Sequence, residues 1–130
     1  MWMSNVVSAA PPEHERQLDD RLIIKSGGRV VFVPVTEIDW IQAAANYVRL
    51  YCTGKQLLLF RKPIGQLAAQ LDNSRFIRIH RSYIVNANRI RELQPCNSGE
   101  FIVSLRDGKE LPCSRTYRRA LQALYSPRHA

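Results

Sequence analysis

The sequence predicts a mainly β domain of small antiparallel sheets, with one short internal helix and a second helix near the C-terminal end. Three observations predict it. Short apolar runs recur from Arg21 onward, separated by turn-forming pairs such as Gly27-Gly28, Gly54-Lys55 and Asp107-Gly108. Only one internal stretch, Ile64, Leu67, Ala68 and Leu71, repeats its apolar residues at the i, i+3, i+4, i+7 spacing of a helix face. Near the end, Ser114 stands where an N-cap would precede a helix over Arg115 to Tyr125, stopped by Ser126-Pro127.

The elements follow in order. Residues 1–20 mix Ser, Ala, Pro and acidic residues without periodicity and read as a tail or linker. RLIIK and RVVFVP flank Ser26-Gly27-Gly28, a hairpin in both runs and turn. A short helical turn is expected at Val35 to Ile38, after Pro34. Strands are expected over Asp39 to Ala43, Val48 to Thr53 and Gln56 to Arg61, with Asn46-Tyr47 breaking the first pair. Pro63 suits the first turn of the internal helix, where its missing N–H has no partner to lose. Asp72-Asn73-Ser74 ends that helix. Phe76 to Ile79 and Tyr83 to Val85 form a pair split by His80-Arg81-Ser82. Arg89 to Leu93, Phe101 to Leu105 and Glu110 to Cys113 complete the strands, turned at Asn97-Ser98-Gly99 and Asp107-Gly108. One folded domain is therefore expected over 21–126, with residues 127–130 as a tail.

Charge narrows the partner. The 130 residues carry a formal net charge of +8, and it is unevenly spread: −3 over residues 1–20 and +11 over 21–130. Such a concentration fits a polyanion, nucleic acid or an anionic surface, against the plainer alternative of a merely soluble basic protein. No apolar run approaches the roughly 20 residues a membrane span needs. The first residues lack the basic and apolar regions of a secretory leader. The expected setting is cytoplasmic, without a membrane partner. Cys52, Cys96 and Cys113 are odd in number and form neither a CxxC pair nor a Cys–His cluster with zinc spacing, so reduced thiols are expected.

The arginines carry the chemistry. FIRIHRSYIVN (Phe76 to Asn86) and LPCSRTYRR (Leu111 to Arg119) each set arginines at the rim of an apolar element beside small hydroxyl residues. A guanidinium offers a planar fork that matches phosphate oxygens or a guanine edge, which lysine does not reproduce. No long basic helix and no helix-turn-helix spacing is present, so any duplex would be read by loops and strand ends.

These stretches, with VPVTEIDWIQA, NYV and LFRKPIGQLAAQL, occur in an order that resembles the LytTR family of bacterial DNA-binding domains. The resemblance covers about Arg21 to Leu124. It implies an elongated set of small antiparallel sheets with a packed helix. It also implies sequence-specific double-stranded DNA binding in transcriptional regulation, through loops inserted into successive major grooves at direct-repeat promoter sites. Two copies on one operator are favoured by direct repeats, without a preformed dimer being required. Family members often follow a phosphoacceptor domain. Only an acidic stretch precedes the matching residues in this sequence, so the resemblance implies DNA binding without implying a response regulator.

Carried over residue by residue, the resemblance places the first loop at Asn46, Tyr47 and Val48, the second at Arg81 and the third at Arg115 and Thr116. Ser82 suits either phosphate donation or the turn itself, and Asn46 suits either adenine or a positive φ. Arg118 and Arg119 share about one turn with Arg115, near a helix N-terminus whose amides add attraction for anions. Lys55, Arg61, Lys62 and Arg78 are weaker candidates for phosphate. Asn86 is expected to satisfy backbone groups after a buried strand. His80 is expected to face away from Ile77 and Ile79.

Catalysis finds no support. No Ser–His–Asp or Cys–His constellation, phosphate loop, HExxH motif or carboxylate cluster occurs, and Asp39, Asp72 and Asp107 read as turn and cap residues. No cofactor, metal or small-molecule substrate is expected. Two rivals remain at this stage: an RNA-binding module and a basic protein-interaction domain. RNA modules display exposed aromatics, whereas Phe60, Phe76, Tyr83 and Phe101 sit within apolar runs and are expected to be buried.

Overall fold

The structure, a computed structural model, describes residues 21–126; the expected tails at 1–20 and 127–130 lie outside them. The chain divides into two compact units, one ending at Glu37 and the other starting at Ile38.

The first unit holds a two-stranded antiparallel hairpin, β1 (Arg21–Ser26) and β2 (Arg29–Pro34), followed by a 3-10 turn at Val35–Glu37. Its loop is Gly27-Gly28, at φ 57° and 77°. Positive φ at both loop positions matches the right-handed twist of the flanking strands, and glycine adopts it without a Cβ clash.

The second unit contains two sheets and two helices. Its larger sheet runs in the order β5-β4-β3-β7-β6. The strands are β3 (Ile38–Ala44), β4 (Tyr47–Cys52), β5 (Gln56–Phe60), β6 (Phe76–His80) and β7 (Tyr83–Asn86), all paired antiparallel. The smaller sheet, in the order β10-β9-β8, comprises β8 (Ile90–Pro95), β9 (Phe101–Leu105) and β10 (Glu110–Cys113). Helix α1 spans Ile64–Gln70, with Pro63 just outside it in an extended conformation. Helix α2 spans Arg118–Tyr125.

The register explains the core. Trp40 pairs with Tyr51 and Val85, and Ile41 with Leu50 and Ile84, so the alternation of β3 sends these two sets to opposite faces. Trp40, Val85, Ile77 and Ile79 form one buried cluster with Phe101, Val103 and Leu105 of β9, Leu111 and Cys113 of β10, and Leu121 of α2. That cluster joins the two sheets, and Tyr51 stacks on Trp40 with ring centroids 3.9 Å apart. On the other face Ile41, Leu50 and Ile84 are buried, as are Ile64 and Leu67 of α1 and Leu71 just past its end. Removing such apolar surface from water is the main drive to fold, at about 25 cal/mol per Å².

Polar groups at the margins are accounted for. Asn86 is buried; its Nδ2 donates to the Ile38 carbonyl at 2.8 Å, and its Oδ1 accepts the Asn88 N–H at 3.0 Å. One amide thereby joins the end of β7 to the start of β3, as a residue closing a buried strand should. Asp72 accepts both the backbone N–H (2.9 Å) and the hydroxyl (2.8 Å) of Ser74, which hold its carboxyl below the ordinary 3.8. Asp107 caps the Lys109 N–H at 2.9 Å. Asp39 departs from the expected turn role: it pairs with Arg89 Nε at 2.9 Å, and Thr53 bridges the two. The sequence hides this because the partners lie on separate strands and turns.

The cysteines are free. Cys52 and Cys113 are buried and Cys96 is exposed. Burial disfavours the thiolate and pushes the Cys113 thiol up from 9.0 to about 11.

Asn86→Ala strands a buried carbonyl and an N–H, and is expected to cost about 2–3 kcal/mol in urea unfolding. At pH 8, iodoacetamide should modify Cys96 in the native protein, and Cys52 and Cys113 only after denaturation, as intact mass would report. The raised Cys113 value also means that its contribution to stability is intact below the ordinary thiol value and is lost as pH rises toward about 11.

Candidate nucleic-acid interface

The three arginine- and asparagine-bearing segments meet at one end of the larger sheet because of strand register. The turn between β3 and β4 is Ala45-Asn46, since Ala44 pairs with Tyr47. Its positive φ (59°) falls on Ala45 rather than on Asn46, so the expected conformational role of Asn46 passes to its neighbour. Asn46 and Tyr47 are exposed. Val48 is fully buried, which removes its side chain from any interface: one residue into the strand, alternation turns it to the core.

The turn between β6 and β7 is Arg81-Ser82, because His80 pairs with Tyr83. Gln42 pairs with Tyr83, which sets this turn at the same end as Ala45-Asn46. The Ala43 N–H donates to the Ser82 carbonyl at 2.8 Å and ties the two turns together. Arg81 is exposed and Ser82 half-buried. His80 Nδ1 accepts the Ser82 N–H at 3.0 Å, so the histidine closes the turn from inside.

The third segment is joined by the Ser114 N–H, which donates to the Ile79 carbonyl at 2.9 Å. Ser114 therefore acts through its backbone. Its carbonyl accepts the Tyr117 N–H at 3.0 Å and opens a 3-10 turn over Arg115–Tyr117, and α2 begins only at Arg118. No side-chain cap bond forms, against expectation, because the tight i→i+3 turn takes up the first N–H by itself. Arg115, Thr116 and Arg119 are exposed, and Arg118 is half-buried. Gly99, at φ 80°, lies beside the Arg118 and Arg115 side chains, so a Cβ there would displace the Arg118 guanidinium.

The weaker candidates separate. Lys55 lies in the β4–β5 turn, at the opposite end of β4 from Asn46, and the structure does not bring it to the other segments. Lys62 extends over the Phe60 ring and donates to Gln70 Oε1. Arg61 sits 5.9 Å from the Tyr47 ring centroid and so belongs to the cluster, although its sequence position marks it as peripheral. Arg78, expected to face phosphate, is turned inward: Nε donates to the His80 carbonyl at 3.2 Å and Nη2 to the Arg81 carbonyl at 2.7 Å. Its guanidinium also lies 5.5 Å from the Tyr117 ring centroid.

Electrostatically the surface is one-sided. No acidic residue occurs from Trp40 to Leu71, from Asn73 to Arg91, or from Leu111 to Ala130, the stretches that supply all three segments. An anion approaching them meets no fixed negative charge from these stretches. Among the aromatics, Phe76 and Phe101 are buried as expected, but Phe60 and Tyr83 are only half-buried, while Phe32, Tyr47 and Tyr125 are exposed. Edge position explains Phe60, which closes the outermost strand β5. Among the described residues no His, Cys, Asp and Glu group has a metal-binding arrangement, and no helix is long and apolar enough to cross a membrane.

Comparison with known proteins agrees with this geometry. Residues 28–126 match the family model of the LytTr DNA-binding domain. The chain is 28% identical over 116 residues to the transcriptional regulatory protein YpdB of Escherichia coli K12, covering 88% of this chain and 47% of that protein. It is 29% identical over 110 residues to the sensory transduction protein LytT of Bacillus subtilis, covering 80% and 43%. The chain thus spans about half the length of the curated relatives it matches. A solved LytTr DNA-binding domain of a methyl-accepting/DNA response regulator from Bacillus cereus shares the fold. Its TM-score is 0.70 at 23% identity, over 81% of this chain and 95% of that one.

Proposed function

The chain belongs to the LytTr DNA-binding domain family, and we propose that it binds specific double-stranded DNA sites as a cytoplasmic bacterial transcriptional regulator without enzymatic activity. One observation carries the reading furthest. Two backbone hydrogen bonds, Ala43 to Ser82 and Ser114 to Ile79, gather three exposed, acid-free segments at one end of a rigid sheet. Sites held on strand ends keep their geometry better than sites on long loops.

The roles divide by chemistry. Arg81 stands alone at the tip of a two-residue turn and suits a bidentate contact to a guanine edge in the major groove. Asn46 offers the paired donor and acceptor that adenine presents. Arg115 and Thr116, at the entry of α2, complete the readout. Arg118, Arg119, Arg61 and Ser82 supply phosphate contacts that set affinity and register. Tyr47 stacks beside Arg61 and anchors the first turn. Two copies bind head to tail on direct repeats, each domain covering about one helical turn of roughly 10 bp.

Selection from fragmented duplex DNA at moderate salt should enrich paired half-sites in direct repeat; binding without an enriched motif would reduce the protein to a phosphate binder. With about five or six phosphates neutralised, log K against log salt should slope at roughly −5. Arg81→Ala should lower the preference for the selected duplex over random DNA by about 5- to 100-fold. Arg119→Ala should weaken both duplexes alike and make the slope shallower by about 0.9. Equal losses on both duplexes for both variants, in filter-binding or anisotropy titrations, would overturn this division of labour.

A further inference from the structure

We infer that Arg78 is a positioning residue for DNA readout: its guanidinium braces the Arg81 turn against the entry of the last helix and does not itself neutralise phosphate. The inference rests on the DNA-binding reading above.

The geometry sets Arg78 apart from the other arginines of the cluster. It projects from β6, one residue before the register shift that β6 makes between Arg78 and His80. A bulge bends its strand and re-aims the following side chains. Into that bend the Arg78 fork returns, with Nε on the His80 carbonyl and Nη2 on the Arg81 carbonyl. The Tyr117 ring centroid lies 5.5 Å from the guanidinium carbon. One planar group therefore touches the second segment through its backbone and the third through Tyr117, next to Arg115, Thr116 and Arg118.

Three fates for Arg78 can be told apart on chemistry. A phosphate contact needs free, outward donors, but two of its nitrogens already hold carbonyls of its own turn and the side chain is half-buried. A purely structural arginine would satisfy groups in the core, whereas these carbonyls belong to the strand end and the exposed turn that presents Arg81. A brace remains. A base-reading side chain must be held within about 0.5 Å and 10–20° of its productive pose. Among the described residues the Arg81 side chain has no hydrogen-bond or ion-pair partner, so the fold holds this residue through its backbone; Arg78 on its carbonyl and His80 on the next N–H do so. Lysine keeps the charge and the stem but lacks the fork, so it cannot hold both carbonyls.

The test compares wild type, Arg78→Lys, Arg78→Ala, Arg81→Ala and the Arg78→Ala/Arg81→Ala double variant. Each is titrated across salt on the duplex recovered by selection and on a random duplex of equal length. Both Arg78 variants should lose about ten-fold in preference for the selected duplex, with the salt slope on random DNA unchanged. In the Arg81→Ala background the Arg78 change should cause no further loss of preference. Amide exchange at Arg81, Ser82 and Tyr83 should quicken in Arg78→Lys without DNA, which keeps the question open to measurement even where Arg78→Ala fails to fold. An equal loss on both duplexes with a slope shallower by about 0.9 would make Arg78 a phosphate contact and overturn the inference. So would additive losses in the double variant, or unchanged amide exchange. A wild-type protein that prefers no duplex would instead overturn the DNA-binding reading, and this inference with it.

Discussion

The hydrogen bond from the Ser114 N–H to the Ile79 carbonyl is the constraint on which the site depends. Ile79 is fully buried and belongs to the cluster shared by both sheets and α2, so its carbonyl is fixed by packing before any loop is considered. A buried backbone carbonyl left without a donor is costly, and here the donor comes from a residue 35 positions later. That bond falls where β10 ends at Cys113 and the turn leading into the last helix begins. Its counterpart, from the Ala43 N–H to the Ser82 carbonyl, fixes the first turn against the second. The three candidate segments are thus ordered by main-chain bonds at strand ends, while the side chains of Asn46, Arg81, Arg115 and Thr116 stay exposed.

The arginines show how similar residues acquire different work. Arg78 and Arg81 stand three apart in one motif, yet Arg78 points back onto the turn that Arg81 occupies. Arg89 is drawn to Asp39 and Thr53. Arg118 lies beside Gly99 in the turn between β8 and β9, where the positive φ favours glycine. Arg115 and Arg119 remain exposed. Charge that is already committed to carbonyls or carboxylates shapes the fold, while exposed charge is left to attract an anion. A count of basic residues, taken without partners, cannot distinguish the two.

The same separation appears in the sheet. Edge strand β5 and its turn carry Lys55 away from the cluster, while Arg61, just past the other end of that strand, is carried into it. Six residues of β4 stand between the two ends, about 20 Å at the rise of an extended chain. Hairpin connectivity alternates the ends at which successive turns lie, so neighbours in sequence part and distant segments meet.

The sequence by itself determined the class of fold and the order of its elements. Period-2 apolar runs, turn pairs and one helical face are local signals, and they placed each strand and the internal helix to within a residue or two. The roles of Asn86, Asp72 and Asp107 were legible too, because each bonds within a few residues of itself or closes a strand. Only the tertiary structure decided which charges are free. The Asp39–Arg89 pair, the inward turn of Arg78, the burial of Val48, the positive φ at Ala45 and the backbone capping at Ser114 all depend on register or on contacts across strands. The Asp39–Arg89 and Ser114–Ile79 contacts join residues far apart in the chain, while the bonds of Arg78 to His80 and Arg81 form only where the bulge of β6 bends the strand. The motif names the arginines; the fold assigns their partners.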